Sequence, residues 1–339
     1  MEKGKISFIL PVYNGEKTIE KCIKSVINQK IKNYELIIID DESKDKTGEI
    51  CQKYVNENIK YFYQKNTGQG IARNFGMKVA TGEYITFIDS DDYIEKNSYK
   101  DILPYLKKDY DYIMFSFFIE TEKSKYKENF VNKVVEFSAN NVDIINGMLV
   151  NRGPYAGLET SVWNKIYRKD IIEKNNIQFK SERKYLSEDS IFNYDYYKHS
   201  KRGIIIPKTI YCYVQNNSSY THKYQLNYDQ RTLDFYYYLE NNLEGYNKEI
   251  QEKIKSIIVY KCFMGYKLCL SQEIYYNNKK DLSSLLSNSE FLDIIVKVDK
   301  SYLSKFEKIL FYFIKIKFKL GIIALFEFKQ TLKNILKRK

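Results

Sequence analysis

The chain has 339 residues, 44% of them hydrophobic and 16% aromatic, with 33 Tyr, enough to build one large core or two small ones, and this excludes a disordered chain. Its formal charge is +12, but residues 303–339 alone hold ten Lys and Arg against two Glu, which leaves the body mildly basic. A basic folded face interleaved with stacking aromatics, the footprint of a nucleic-acid binder, is not expected.

Residues 6–10 (ISFIL) form a β-rich run that stops at Pro11, and Ile19, Cys22, Ile23, Val26 and Ile27 then recur at helical spacing with Thr18 as the expected cap. Residues 34–39 (YELIII) read as a buried strand running into Asp40 and Asp41, followed by a helix over 47–55 and a strand over 60–63. A helix over 70–80 ends at Gly82, and residues 84–88 (YITFI) deliver Asp89 at the end of a fourth strand. The order β-α-β-α-β-α-β predicts a doubly wound, mainly parallel α/β sheet whose ligands bind beyond the C-terminal strand ends. Further on, the spacing predicts a helix over 97–107, a strand over 111–119, a helix over 140–150 and mixed segments to about 223. A tyrosine-rich helical region over 226–300 and a basic tail over 301–339 complete the chain.

The polar residues gather at the predicted strand ends. Asp89, Ser90, Asp91 and Asp92 put carboxylates two residues apart, which suits a hard divalent cation such as Mg²⁺ or Mn²⁺ beside a diphosphate; an acidic helix cap is the plain alternative. Asp40 and Asp41 can be turn formers, or Asp41 can accept from a uracil imide or a ribose hydroxyl, with Tyr13 stacked on the base. In residues 68–74 (GQGIARN) the glycines permit close backbone approach and Arg73 can reach a base or a phosphate. The stretch is not a dinucleotide fingerprint, because Arg73 stands at the third glycine and no first strand precedes it.

Taken in order, PVYN (11–14), IDD (39–41), GIARN (70–74), GEYI (82–85) and FIDSDD (87–92) resemble glycosyltransferase family 2, with a looser likeness through VWNK (162–165) and LSED (186–189). The resemblance implies a GT-A fold and an inverting transferase that uses a nucleotide sugar, usually a UDP-sugar, with a divalent metal. It assigns Pro11, Tyr13, Asp41 and Arg73 to the base region, Asp89 with Ser90 to the ribose side of the donor, Asp91 to the metal and Asp189 to the role of base. Glu188 would orient that base or touch the acceptor, although two acids after Ser187 also suit the first turn of a helix. This chain departs from the family at Glu42, where Gly or Asn is commoner.

Trp163 can stack on an acceptor sugar or fill the core, and Lys165 can offset diphosphate charge or lie in solvent. His222 reads as polar loop surface or a further ligand. The expected domains are 1–225, split into a donor half (1–93) and an acceptor half (94–225), then a helical region (226–300) and the tail (301–339).

In the tail, Phe306, Ile309, Phe313, Ile316, Leu320 and Ile323 predict one basic amphipathic helix that lies on an anionic membrane or packs on the body or a second subunit. Five cysteines without CxxC pairing, no signal-peptide pattern and apolar runs of about seven residues point to a cytoplasmic chain at the inner face of the membrane. The expected acceptor is a glycan or a polyprenyl-diphosphate-linked glycan in surface polysaccharide synthesis, with a homo-oligomer possible. A sugar nucleotidyltransferase would need a Gly-rich phosphate loop after the first strand, where this chain has PVYN, and a non-catalytic carbohydrate- or membrane-binding module would not need Asp89, Asp91 and Asp189 together.

Overall fold

The computed structural model describes residues 2–128, 131–138, 141–158, 160–215, 224–276 and 278–337. The chain divides into two compact units, Met1–Lys223 and Tyr224–Lys339. In chain order the first unit contains β1 (Glu2–Val12), α1 (Ile19–Ile27), β2 (Tyr34–Asp40), α2 (Thr47–Gln52), β3 (Ile59–Tyr63), α3 (Gln69–Val79), β4 (Gly82–Phe87) and β5 (Tyr93–Ile94). It continues with α4 (Leu103–Leu106), β6 (Tyr112–Glu120), β7 (Lys125–Glu128), β8 (Val135–Ser138), α5 (Val142–Val150), β9 (Lys165–Arg168), α6 (Lys169–Lys174), α7 (Glu188–His199) and β10 (Arg202–Val214).

The strands form one mixed sheet in the order β3-β2-β1-β4-β9-β6-β10-β5, with β7 beside β6 and β8 beside β10. Its first half is parallel: Ile9 lies opposite Ile37 on β2 and Phe87 on β4, and β2 pairs in parallel with β3. Ile6, Phe8, Ile9 and Leu10 of β1 and Leu36 to Ile39 of β2 are fully buried, the continuous apolar run expected of strands covered on both faces. Because β1 to β4 all point the same way, the loops after Val12, Asp40, Tyr63 and Phe87 leave from one edge.

Helix α1 buries Ile19, Cys22, Ile23 and Val26, and α3 comes close to the sheet through Gly76, where a Cβ would stand 2.5 Å from Ile9 Cγ2. Beyond β4 the sheet is mixed. Strand β9 runs antiparallel to both β4 and β6, and β6 then pairs in parallel with the 13-residue β10.

Several local expectations are corrected. Strand β1 continues through Pro11, which pairs in register with Ile39, to Val12. Thr18 makes no side-chain cap to α1; its hydroxyl instead donates to the Gly15 carbonyl at 3.4 Å. The helix over 97–107 is a 3₁₀ turn at Ser98–Asp101 and the single-turn α4, since Pro104, without an N–H, sits in that stretch.

The second unit is helical: α8 (Tyr228–Glu240), α9 (Lys248–Tyr275), α10 (Lys279–Ser287), α11 (Ser289–Ile295), α12 (Lys305–Lys315) and α13 (Lys319–Lys337). The 28-residue α9 is its spine and buries Ile254, Ile257, Ile258, Phe263, Tyr266 and Leu270. The single amphipathic helix expected over the tail is corrected to two helices. Lys317 takes φ +53 between them, and Phe318 N–H donates to the Phe313 carbonyl at 2.9 Å, a left-handed helix end closed by the edge-to-face Phe313–Phe318 pair. The buried face of α12 is Leu310, Phe311 and Ile314 with Glu307, whose carboxylate accepts from Lys267 Nζ at 2.6 Å. Among the described residues no helix is long and apolar enough to cross a membrane.

Candidate active site at the parallel strand ends

The sequence puts acids and amides at four successive strand ends, and the folded loops bind one another there before any ligand arrives. After β1, Asn14 is left-handed (φ +51); its N–H donates to Ser43 Oγ at 2.9 Å, and its Oδ1 accepts from Lys44 N at 2.8 Å. After β2, Asp40 accepts from Ser43 N–H and from the Tyr61 hydroxyl, both within 2.8 Å. The buried Asp41 accepts from the N–H groups of Thr67 (3.0 Å) and Gly68 (2.9 Å) and from Gln64 Nε2 (2.8 Å). It therefore ties the β2 loop to the entrance of α3. Glu42 beside it is left-handed at φ +70, the backbone state that Gly or Asn adopts most readily.

The acidic run after β4 divides. Asp92 is buried and fully engaged, with one oxygen accepting from the Tyr211 hydroxyl and the other from Val214 N–H, each at 2.7 Å. Burial, together with the charges of Asp89 and Asp91, pushes its carboxyl well above the usual range. Asp89 is partly exposed; its Oδ1 accepts from Arg73 Nη2 (2.8 Å) and Gln69 Nε2 (2.9 Å), while its N–H donates to the Tyr211 oxygen. Asp91 is exposed, and no hydrogen bond or ion pair is seen for it among the described residues. Ser90 is partly exposed, with its Oγ 3.7 Å from where a Cβ on Gly15 would stand, so the β1 and β4 loops adjoin.

Arg73 joins the end of β4 to the start of α7. Almost wholly buried on α3, its guanidinium reaches Asp89 at 2.8 Å, Asp189 at 2.7 Å and Glu188 at 3.5 Å, and it lies over the Phe179 ring at 5.2 Å. Burial opposes its charge, but the three carboxylates outweigh that and hold it protonated. Glu188 and Asp189 open α7, whose first turn is capped by Ser187 Oγ accepting from Ser190 N–H. Burial, and then the charge of Asp189, pushes the Glu188 carboxyl up to about 8 against the pull of Arg73. Burial also raises Asp189, with Arg73 opposing. Three carboxylates thus converge on one buried guanidinium.

The remaining sequence candidates separate from this cluster. Tyr13 is 51% exposed in the loop after β1, and Pro11 is buried in β1. Trp163 precedes β9 and is core: Tyr211 and Tyr213 stack on it at 4.5 and 5.8 Å, and Phe117 meets its edge. Lys165 is buried on β9, not solvated, and donates to the Ser161 carbonyl and to Asn164 Oδ1. His222 lies outside the described residues.

Sequence reading missed Gln69, Tyr211 and Glu182. Glu182 stands against Gly68, where an added Cβ would meet its Oε1 at 1.8 Å. Tyr211 had one legible signal, its place in the aromatic strand run YCYV, but its partners lie over a hundred residues away. The donor set also fits a cation carried with a diphosphate better than a preformed cage. Asp91 offers one uncommitted carboxylate, and no group of three metal-binding side chains is found among the described residues.

The chain matches the model of glycosyl transferase family 2 over residues 7–175. It is 30% identical over 274 residues to the putative glycosyltransferase EpsH of Bacillus subtilis, covering 74% of each chain. It is 36% identical over 220 residues to the poly(ribitol-phosphate) beta-N-acetylglucosaminyltransferase TarP of Staphylococcus aureus, covering 62% of each. Across the curated relatives compared it spans between 21% and 74% of their length. The crystal structure of S. aureus TarS residues 1–349 in complex with UDP-GlcNAc superposes with a TM-score of 0.69 at 22% identity, over 96% of this chain and 92% of that one. The fold is thus of the GT-A type with an appended helical region, and the chain belongs to glycosyltransferase family 2.

Proposed function

We propose that this glycosyltransferase moves a sugar from a UDP-sugar to a hydroxyl of a glycan or polyprenyl-diphosphate-linked glycan, with inversion, in surface polysaccharide synthesis at the inner face of the cell membrane. The observation that carries the reading is the Arg73 bridge between Asp89, at the donor-side strand end, and Asp189, from the later half of the unit. The TarS complex with UDP-GlcNAc and the TarP likeness support a UDP-sugar and a surface glycopolymer. A sugar nucleotidyltransferase gains no support, since the loop after β1 binds Ser43 and Lys44 and presents no glycine-rich phosphate cradle.

In this reading Asp189 takes the acceptor hydroxyl proton as that oxygen bonds to the anomeric carbon, and the bond from that carbon to the diphosphate oxygen breaks with its electron pair leaving on UDP. Asp91 would hold Mn²⁺ or Mg²⁺ together with the diphosphate, and the cation would offset the charge on the leaving group. Tyr13 stacks on the base, Asp41 and Pro11 shape the base pocket, and Asp89 with Ser90 faces the ribose.

A UDP-release screen across UDP-sugars with Mn²⁺ or Mg²⁺ tests the proposal. Asp189→Asn is expected to keep UDP binding and lose transfer by about 10²–10⁴-fold, the usual range for a general base. Asp91→Ala is expected to lose metal-dependent donor binding. Wild-type turnover in either variant, or no UDP binding with any donor, would overturn the assignment.

A further inference from the structure

Helix α12 carries two apolar faces, and only one is used within its unit. Leu310, Phe311 and Ile314 are buried, whereas Ile309, Tyr312 and Ile316, at i, i+3 and i+7, lie on the opposite side of the helix and are exposed. At the Lys317 elbow Phe318 and Leu320 are exposed as well, and further along α13 so are Phe328 and Leu332, with the exposed acid Glu327 among them. Tyr312, Leu320 and Phe328 keep 59%, 73% and 63% of their surface in solvent. Surface helices do not normally present such an exposed apolar patch to water.

The charges around the patch identify its occupant. Lys305, Lys308, Lys315 and Lys317 are exposed on α12 and at its elbow, while Glu307, the one acid of that helix, is buried on the other face against Lys267. A second copy would bring the same lysines against themselves, whereas an anionic bilayer meets the apolar side chains with its acyl boundary and the lysines with its phosphates. We infer that the outer face of α12, its elbow and the first turns of α13 form a docking surface for an anionic lipid bilayer, with Ile309, Tyr312, Ile316, Phe318 and Leu320 inserted and the lysines at headgroup level. This rests on the proposed membrane-side acceptor and replaces the straight stripe read from the sequence with a bent one.

The full chain is tested by co-sedimentation with phosphatidylcholine vesicles and with vesicles also containing phosphatidylglycerol. Binding is expected only to the anionic vesicles and is expected to fall with salt. The triple variant Lys305→Gln, Lys308→Gln, Lys315→Gln is expected to weaken it on the order of 10²-fold, since each basic residue contributes separately. The triple variant Ile309→Ser, Tyr312→Ser, Ile316→Ser is expected to weaken it at least about tenfold while leaving the melting temperature unchanged, because these side chains face solvent. In Tyr312→Trp, tryptophan emission is expected to shift to the blue on adding anionic vesicles. Equal binding to neutral vesicles, no binding, or a wild-type oligomer that the serine variant dissociates would overturn the inference. UDP release in lipid-free buffer is expected to be the same in wild type and both triple variants; this separates failure of the docking surface from failure of the proposed reaction.

Discussion

Arg73 Nη1 lies 2.7 Å from Asp189 Oδ1, while Nη2 of the same side chain lies 2.8 Å from Asp89 Oδ1. One planar guanidinium thus fixes the distance between the loop after β4 and the first turn of α7. A lysine ammonium is a point charge and cannot hold both carboxylates in that geometry. Arg73→Lys is therefore expected to fold and to lower kcat/KM by about 10–10²-fold, as misplacement near the chemistry does. Arg73→Gln leaves three acids without their cation and is expected to cost about 3–5 kcal/mol of stability in chemical denaturation. Because the charge of Arg73 opposes the upward shift of Asp189, the acid limb of the pH–rate profile is expected to move to higher pH in Arg73→Gln, which removes that charge. An unmoved limb would argue against Asp189 as the base.

The raised acids also give folding stability a pH dependence of definite sign. Glu188 is held up to about 8 in the folded chain and returns to the ordinary carboxyl value on unfolding, so the folded state binds the extra proton between those limits. The contribution of Glu188 to stability is accordingly complete below the unfolded pKa and is lost as pH rises toward 8. Glu188→Gln, which cannot ionise, is expected to flatten that fall in melting temperatures measured across the window. A wild-type protein that gains stability over this range would contradict the burial of the cluster.

Glu42 occupies a left-handed position with a side chain that disfavours it, and its compensation is a surface pair with Lys44 at 3.1 Å. Exposed pairs contribute roughly 0–1 kcal/mol, while the left-handed backbone costs a non-glycine residue about 1–2 kcal/mol. Glu42→Asn is expected to raise stability by up to about 1 kcal/mol, or about 2 °C in melting temperature. A loss of stability would mean that the Glu42 contacts to Lys44 and Asn66 N–H outweigh the backbone term.

Much of this was legible because the signals were local. The buried runs of β1 and β2, the apolar spacing of α1 and the acids at the ends of β2 and β4 each lie within a few residues, so periodicity and strand-end chemistry located them. Departures arose where one residue overrode a pattern or where partners were distant. Pro104 divided a helix that the apolar spacing alone continues, and the Phe313–Phe318 contact bent a tail whose stripe read as straight. Of the two readings open for Trp163 the core one holds, because Tyr211 and Tyr213 of β10 stack on it, partners that no local signal joins to residue 163. Arg73 was expected near a base or a phosphate, whereas its carboxylate partners Asp189 and Glu188, more than a hundred positions away, had no local signal.

Tyr211 offers the last test, because its hydroxyl is shared between two members of the acidic run. It donates to Asp92 at 2.7 Å and accepts from Asp89 N–H at 3.0 Å, while its ring stacks on Trp163. Tyr211→Phe keeps the stacked ring but removes the hydroxyl, leaving a buried Asp92 oxygen without its donor, at a cost of about 1–3 kcal/mol. The Asp89 backbone loses its acceptor in the same change, so the loop that carries Asp89 and Asp91 is freed at one end. The donor KM is therefore expected to rise more than kcat falls, since Asp189 and Arg73 are held by other contacts. Steady-state kinetics with the donor varied separates the two quantities, and a fall in kcat with an unchanged KM would show that Tyr211 does not position the donor loop.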